Sequence, residues 1–163
     1  MPTRNKFYYD ASGALSPVNL QIIGPLLQVA ISVPTVLAQR LGEEGSTLPN
    51  PIAGWALIDT GASRTCVHEQ VLMDLGLQPM GLVTTGTAGG KVQRTLYAAK
   101  IDFPEDGFEI EFSSVVSVDL TGQAIPVTKE KGAQQLLVLV GRDILTRVVL
   151  TYNGPGGFIT FSY

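Results

Sequence analysis

The sequence predicts a mostly β fold, and three observations lead to that prediction. The 163 residues include 18 glycines and 10 prolines, which divide the chain with turns. Between the turns lie short apolar runs rich in β-branched residues, as strands require. Apolar residues make up 45% of the chain and charged residues 15%, a balance that excludes intrinsic disorder and supports one core. We therefore expect a single domain over residues 1–163.

The first half of the chain divides into recognisable segments. Residues 1–19 are polar without a clear period, which predicts an N-terminal arm. The β-branched run 26–33 predicts a strand, and residues 40–52 predict a loop because Gly and Pro recur there. The apolar run 53–58 predicts the next strand. Helical spacing of apolar residues over 67–75, followed by a glycine, predicts a helix.

The second half is predicted to be strands and turns. Residues 82–103 have the pattern of a hairpin with a Gly-rich tip, and 108–118 that of a further strand. The polar segment 119–134 predicts a loop. Residues 136–140 are continuously apolar, as in a strand buried on both faces, and a short turn or helix comes directly after them. A final hairpin is expected over 148–163.

Composition narrows the partners and the compartment. The net charge of −3 lacks the basic excess that binding to nucleic acid requires, so no nucleic-acid partner is expected. The longest apolar stretch, 20–37, is interrupted by two prolines, so no membrane span is expected. The one cysteine, Cys66, excludes an internal disulfide and fits a reducing compartment. These observations predict a cytoplasmic protein.

The most informative motif is an apolar strand that runs directly into Asp59-Thr60-Gly61-Ala62-Ser63. A carboxylate at the end of a buried strand is unfavourable unless it is hydrogen-bonded or used chemically. Gly61 allows another chain or a ligand to approach the carboxylate closely. The motif also occurs by chance as an ordinary turn after a strand.

A second motif, Leu139-Val140-Gly141-Arg142-Asp143, comes after another predicted buried strand, and a Gly-rich hairpin lies between the two motifs. In this order the motifs resemble those of the retropepsin-like aspartic proteases, over about residues 24–163. The resemblance implies a closed β-barrel-like fold with one or two short helices. It also implies an aspartic endopeptidase that hydrolyses peptide bonds without metal or other cofactor.

The resemblance implies a role for each matching residue. Asp59 is the catalytic carboxylate, and Thr60 joins two copies of the loop through reciprocal hydrogen bonds. Gly141 completes a crossing of loops beneath the site, and Arg142 supports the loop. The residues expected to bind the substrate main chain are those after Thr60 and those of the hairpin tip, or flap: Gly61, Ala62, Ser63, Thr85, Gly86, Thr87, Ala88, Gly89 and Gly90.

The implied mechanism needs two carboxylates. Such a pair shares one proton, and one member activates the water that attacks the scissile carbonyl while the other donates its proton. A chain of this length has room for one Asp59 loop, so the resemblance implies a homodimer acting on an extended peptide. The competing hypothesis is a non-catalytic peptide-binding or dimerisation module of the same fold.

The sequence departs from the family at Ser63, where many retroviral members have an acid that pairs with the arginine of the second motif. Arg142 therefore needs another partner, and Asp143 or a carboxylate of the second chain is the candidate.

The remaining motifs do not indicate a second catalytic or binding site. Asp119-Leu120-Thr121-Gly122 has the wrong spacing for a second catalytic loop, and the flap lacks the pattern of a P-loop. Cys66 and His68 are close enough in sequence to suggest a thiol nucleophile. A small core cysteine and a solvated or capping histidine are the commoner roles of such residues. His68, Glu69 and Asp74 lack the spacing of a metal site.

Overall fold

A computed structural model of the chain describes residues 2–87, 89–125 and 134–163. The strands are β1 (Thr3–Phe7), β2 (Leu26–Ser32), β3 (Ile52–Ile58), β4 (Cys66–His68), β5 (Gly81–Thr87), β6 (Gly90–Phe103), β7 (Phe108–Val118), β8 (Ala124–Ile125), β9 (Gln134–Val140), β10 (Val149–Asn153) and β11 (Phe158–Ser162). The helices are α1 (Pro17–Ile23), α2 (Thr35–Glu43), α3 (Glu69–Asp74) and α4 (Arg142–Leu145).

Six of these strands close into a barrel. Their order around the ring is β2-β3-β9-β4-β7-β6, and pairing between β6 and β2 completes the circle. The β5–β6 hairpin extends from this ring. Two of the strand pairings, β3–β9 and β4–β7, are parallel. Parallel strands need a long connection, so each pairing joins segments that are distant in sequence. The mostly β fold with a closed barrel and short helices is therefore confirmed.

The barrel closes around an apolar interior because alternate residues of its strands point inward. On β2, Leu27, Val29 and Ile31 are buried, whereas the residues between them are partly exposed. Further buried residues of this core include Ala56, Ile58, Val67, Tyr97, Ile101, Val115, Val138 and Val140. A smaller apolar cluster, around Leu26, Leu120, Ile125 and Leu136, lies apart from this core.

A three-stranded sheet in the order β1-β11-β10 joins the two ends of the chain. Thr3 pairs with Ser162, and Phe7 pairs with Phe158. The Tyr8 hydroxyl then accepts a hydrogen bond of 2.8 Å from the Leu26 amide at the start of the barrel. No sequence pattern marked β1, so the predicted N-terminal arm over 1–19 contains a strand, and the start of α1, that the sequence did not indicate.

Three further boundaries differ from the sequence predictions. Helix α2 extends to Glu43 and so enters the segment predicted as a loop from residue 40. The predicted helix at 67–75 begins only at Glu69, because residues 66–68 pair with β7 and β9 as a strand. Strand β8 lies inside the predicted loop 119–134, whose residues 126–133 are outside the described residues. Among the described helices, none is long and apolar enough to cross a membrane.

A buried ion pair attaches β1 to the turn between β6 and β7. The Asp106 side chain is 0% exposed, and the Lys6 Nζ lies 3.2 Å from its Oδ2. The Lys6 ammonium also lies 3.0 Å from the Glu105 carboxylate. Burial raises the pKa of Asp106 above its usual range, and the charge of Lys6 only partly opposes that rise.

We predict that Asp106→Asn alters the pH dependence of stability. Because the pKa of Asp106 is higher in the folded chain than in the unfolded chain, its ionisation destabilises the fold. The free energy of unfolding of the wild type should therefore fall, relative to that of Asp106→Asn, as the pH rises from about 4 to neutral. Urea unfolding at several pH values measures this difference. A difference that stays constant, or that changes in favour of the wild type, would contradict the prediction.

Candidate active site

Asp59 stands where β3 leaves the barrel, and hydrogen bonds fix its backbone and its carboxylate. Its amide donates to the Val140 carbonyl at 2.9 Å, which continues the pairing of β3 with β9 by one residue. Its Oδ1 accepts hydrogen bonds from the Gly61 amide at 2.9 Å and the Ala62 amide at 3.2 Å. The half-buried carboxylate is therefore held by its own loop.

The strand register assigns Asp59 to the outer face of the barrel. Leu57 precedes Asp59 by two residues and pairs with Leu139. Because side chains alternate along a strand and paired residues point the same way, the side chains of Asp59, Leu57 and Leu139 lie on one face of the sheet. Leu139 in turn pairs with Cys66, and Cys66 with Val116. Val116 pairs in turn with Leu96 on β6, the last residue of this series. These five apolar residues, from Leu57 to Leu96, are called the outer row.

Gly141 brings the second motif against the first. A Cβ built on Gly141 would lie 2.4 Å from the carbonyl carbon of Arg64 and 2.7 Å from the Thr65 nitrogen. Any side chain would therefore separate the two segments. The next amide, of Arg142, donates to the Ala62 carbonyl at 2.9 Å. This crossing brings together residues 80 positions apart in the sequence.

The side chain of Arg142 binds backbone rather than a carboxylate. Its Nη1 donates to the carbonyls of Thr60 at 2.8 Å and Gly61 at 2.9 Å. The suggestion that Asp143 is its partner was wrong, because that carboxylate faces Thr65. Within the described chain Arg142 has no carboxylate oxygen within 4.0 Å. Arg142 can thus support the loop without the acid that Ser63 replaces.

Thr65 and Asp143 form a contact that sequence reasoning missed. Asp143 accepts hydrogen bonds from the Thr65 amide at 2.8 Å and the Thr65 hydroxyl at 2.7 Å. The same hydroxyl oxygen accepts from the Gly141 amide at 3.1 Å. Thr65 is fully buried, so each of these polar groups depends on the others for its partner. The signal available in the sequence was an acid directly after Gly-Arg and a threonine six residues after Asp59.

Thr60 and Ser63 lie on the exposed side of the loop. Within the described part of one chain, the Thr60 hydroxyl has no hydrogen-bond partner. Reciprocal bonding by Thr60 therefore requires a second chain. Gly61 does not use a left-handed backbone. Its role is steric instead, because a Cβ there would lie 3.1 Å from the Asp59 Oδ1.

The flap is a regular hairpin in which Thr85 pairs with Val92 and Thr87 pairs with Gly90. The Thr87 hydroxyl donates to the Gly90 carbonyl at 2.9 Å, and Gly90 adopts a positive φ of 116° that favours glycine. Gly86 and Gly89 are exposed, and Ala88 lies outside the described residues. No hydrogen bond joins the described flap residues to the Asp59 loop.

Cys66 and His68 are structural residues. Burial raises the pKa of the Cys66 thiol to about 11, and the carboxylates of Asp143 and Asp59 add to that rise. The thiol donates to the Arg64 carbonyl at 3.4 Å. His68 is buried rather than solvated, and its Nδ1 accepts a hydrogen bond from the Leu120 amide at 3.2 Å. Neither group has the character of a nucleophile or its base.

The rejected motif at Asp119 forms a turn. The exposed Asp119 carboxylate accepts from the Thr121 amide at 2.9 Å, as in an Asx turn. In the described parts of the chain, no group of three or more His, Cys, Asp or Glu side chains could hold a metal ion. A recess of about 240 Å³ adjoins the outer row at Leu57 and is lined mainly by apolar residues, Ile22, Ile23, Leu26, Ile125 and Leu136 among them.

Comparisons with known proteins agree with the two motifs. The sequence profile of a family described as aspartyl protease matches residues 47–143, more than half of the chain. Asp59, the flap and Gly141 all lie inside this match, so the resemblance stated from the motifs is confirmed. Among solved structures, a retropepsin-like aspartic protease from Rickettsia conorii is similar, with 12% identity, a TM-score of 0.44, and coverage of 99% of this chain and 93% of that one. No curated protein matches the chain.

We predict that Thr65→Val destabilises the fold by about 1–3 kcal/mol, because it removes a buried hydroxyl that serves both Asp143 and Gly141. Chemical denaturation measures the change. Thr84→Val is the matched control, since Thr84 is exposed on β5 and its replacement should cost less than about 0.5 kcal/mol. Equal losses in the two variants would contradict a special role for Thr65.

We also predict that Cys66 reacts slowly with iodoacetamide. With a thiol pKa of about 11, the thiolate is scarce at pH 8. The native protein should therefore be alkylated on the order of 100-fold more slowly than the chain unfolded in urea. Mass spectrometry of timed samples gives both rates. Alkylation of the native protein at the unfolded rate would show that the thiol is neither buried nor depressed in reactivity.

Proposed function

Because the chain belongs to the aspartyl protease family, we propose that it is an aspartic endopeptidase that acts as a homodimer. The observation that carries the proposal is the Asp59 carboxylate, held by two amides of its own loop at the end of β3. Its Oδ1 is occupied by those amides, and within the described chain its Oδ2 accepts no hydrogen bond. That second oxygen is the one available to a water or to the other member of a pair.

The chemistry depends on pairing two such loops. Two carboxylates at hydrogen-bonding distance share one proton, since both cannot be ionised so close together. The ionised Asp59 removes a proton from a water, which attacks the scissile carbonyl. The protonated Asp59 of the second copy hydrogen-bonds the carbonyl oxygen and later supplies a proton to the leaving amine. No covalent intermediate forms, so neither Cys66 nor His68 is required.

The rest of the site positions these groups. Arg142 holds the carbonyls of Thr60 and Gly61, which orients the loop that carries Asp59. The exposed Thr60 hydroxyl is available to the second copy. The flap closes over an extended peptide and excludes water from the reacting carbonyl. The apolar recess beside Leu57 suits an apolar side chain next to the scissile bond.

We predict that Asp59→Asn lowers peptide cleavage by at least about 100-fold, because an amide cannot act as the general base. Cleavage of a diverse peptide library, with products identified by mass spectrometry, measures the activity. The variant should remain folded, since its side-chain oxygen can still accept from the Gly61 and Ala62 amides. Asp119→Asn is the matched control and should retain activity, because Asp119 only forms an exposed turn.

The same variant tests the shared site. A tenfold excess of Asp59→Asn chains should reduce the wild-type rate about tenfold, because most wild-type chains then pair with an inactive copy. An equal excess of Asp119→Asn should not reduce it. Full activity of Asp59→Asn would overturn the assignment of Asp59. A folded, dimeric wild type that cleaves no peptide in the library would favour the non-catalytic binding module instead.

A further inference from the structure

The N-terminal strand β1 has one open edge. Its hydrogen bonds to β11 use the even-numbered residues, since the Tyr8 amide donates to the Gly157 carbonyl at 2.9 Å just beyond the strand. Hydrogen-bonded residues alternate along an antiparallel pair, so the backbone groups of Asn5 and Phe7 point away from β11. Within the described chain β1 pairs with β11 alone. The amides and carbonyls of Asn5 and Phe7 therefore have no backbone partner there.

This open edge forms one wall of a cleft of about 460 Å³, which is lined by the six consecutive residues 4–9. Because the side chains of a strand alternate between two faces, six consecutive residues line one cleft only where the edge of the strand is directed into it. The Tyr9 carbonyl, two residues after Phe7, accepts a hydrogen bond of 2.6 Å from the side chain of Asn19 on α1. Asn19 also lines the cleft, which agrees with this direction of the edge.

The opposite wall of the cleft is apolar. It consists of side chains from α1, β2, β3 and β8: Ile23, Leu26, Trp55 and Ile125. Phe7 and Tyr9, which also line the cleft, are exposed aromatic residues. The cleft therefore combines an apolar surface with a row of backbone donors and acceptors. An extended polypeptide supplies both the matching backbone groups and the side chains for such a surface.

The cleft adjoins the recess beside Leu57. Three residues, Ile23, Leu26 and Ile125, line both spaces. Leu57 lies two residues before Asp59 on β3, and its side chain shares a face of the sheet with that of Asp59. A polypeptide held at Asp59 therefore has a path along the barrel to the open edge of β1.

We propose that this cleft is a second binding site for the substrate, in which an extended segment remote from the scissile bond adds a strand to β1. The inference rests on the proposed function and defines the substrate class as unfolded polypeptides longer than the part that contacts Asp59. The segment matches the five residues of β1 in length. A second folded copy is a poorer fit, because the open edge faces a wall of its own subunit.

Strand addition is tested on Asp59→Asn with a fluorescent peptide of alternating Val and Thr that has Lys at each end. Fluorescence anisotropy should show that this peptide binds. Two further versions carry N-methyl groups on either the Val or the Thr residues. Because only one edge of the added strand meets β1, one version should bind about tenfold more weakly and the other should bind like the parent peptide. Absent binding of the parent peptide, or equal affinities of the two methylated versions, would overturn the proposal.

Asn5→Pro tests the edge from the side of the protein. The proline removes an amide hydrogen that points into the cleft and leaves the hydrogen bonds to β11 in place. Asn5→Ala is the matched control, since it loses the same side-chain hydrogen bond to Thr160 but keeps the amide. Asn5→Pro should bind the parent peptide about tenfold more weakly than Asn5→Ala. Equal affinities in two folded variants would overturn the assignment to β1, and the methylated peptides remain decisive if Asn5→Pro does not fold.

Sedimentation velocity identifies the competing occupant. If Asn5→Pro weakens self-association relative to Asn5→Ala and the parent peptide does not bind, the open edge of β1 belongs to a second copy, and the proposal is overturned.

Cleavage kinetics keep this inference distinguishable from the proposed function. A library peptide that the wild type cleaves is compared with the same peptide joined through a Gly-Ser linker to the Val and Thr segment, on either side. On one side the extension should lower KM about tenfold and leave kcat unchanged, because binding remote from the reacting atoms stabilises ground state and transition state alike. Asn5→Pro should remove this gain.

The two proposals then fail separately. Cleavage that gains nothing from either extension would overturn the second binding site and leave the protease function standing. Strand addition to Asp59→Asn, together with a wild type that cleaves no peptide, would retain the site at β1 and overturn the proposed protease activity.

Discussion

The contact between Gly141 and the Arg64–Thr65 peptide holds the loop that carries Asp59 against the second motif. These two backbone segments lie closer than any side chain allows, and the bonds from Thr65 to Asp143 hold them there. From this crossing Arg142 reaches the carbonyls of the Asp59 loop. The orientation of the Asp59 carboxylate thus depends on a contact made on the far side of the loop. A polar network of this kind specifies one arrangement because each missing partner would leave a buried group unpaired.

The parts of the fold that could be predicted from sequence are those whose signal is local. The strand ending at Ile58 and the strand over 136–140 were visible as short apolar runs, and each leads directly into a polar motif. The hairpin of the flap was visible through its glycines. These signals also located Asp59 and Gly141, since both sit where a buried strand ends.

The parts that could not be predicted depend on partners far along the chain. Strand β1 has no alternation of apolar residues, because its stability comes from pairing with β11 rather than from a buried face. Residues 66–68 continue the helical spacing of residues 69–75, yet pairing on both sides makes them a strand. Thr65 and Asp143 are polar residues that form hydrogen bonds with each other only because the two motifs cross. The outer row likewise emerges only from the register of five strands.

The sheet that joins β1 to β11 has a consequence for how the chain reaches its fold. Thr3 and Ser162 are 159 residues apart in the sequence, yet their hydroxyl groups are 3.0 Å apart. Such pairing carries the loop-closure entropy of the 159 residues between them, a cost that grows slowly with length but slows folding. We therefore expect this sheet to form late in folding, after the barrel has brought β1 and β11 together. Because Tyr8 and Lys6 also attach β1 to the barrel, loss of the pairing between β1 and β11 would loosen the barrel's hold on both strands at once.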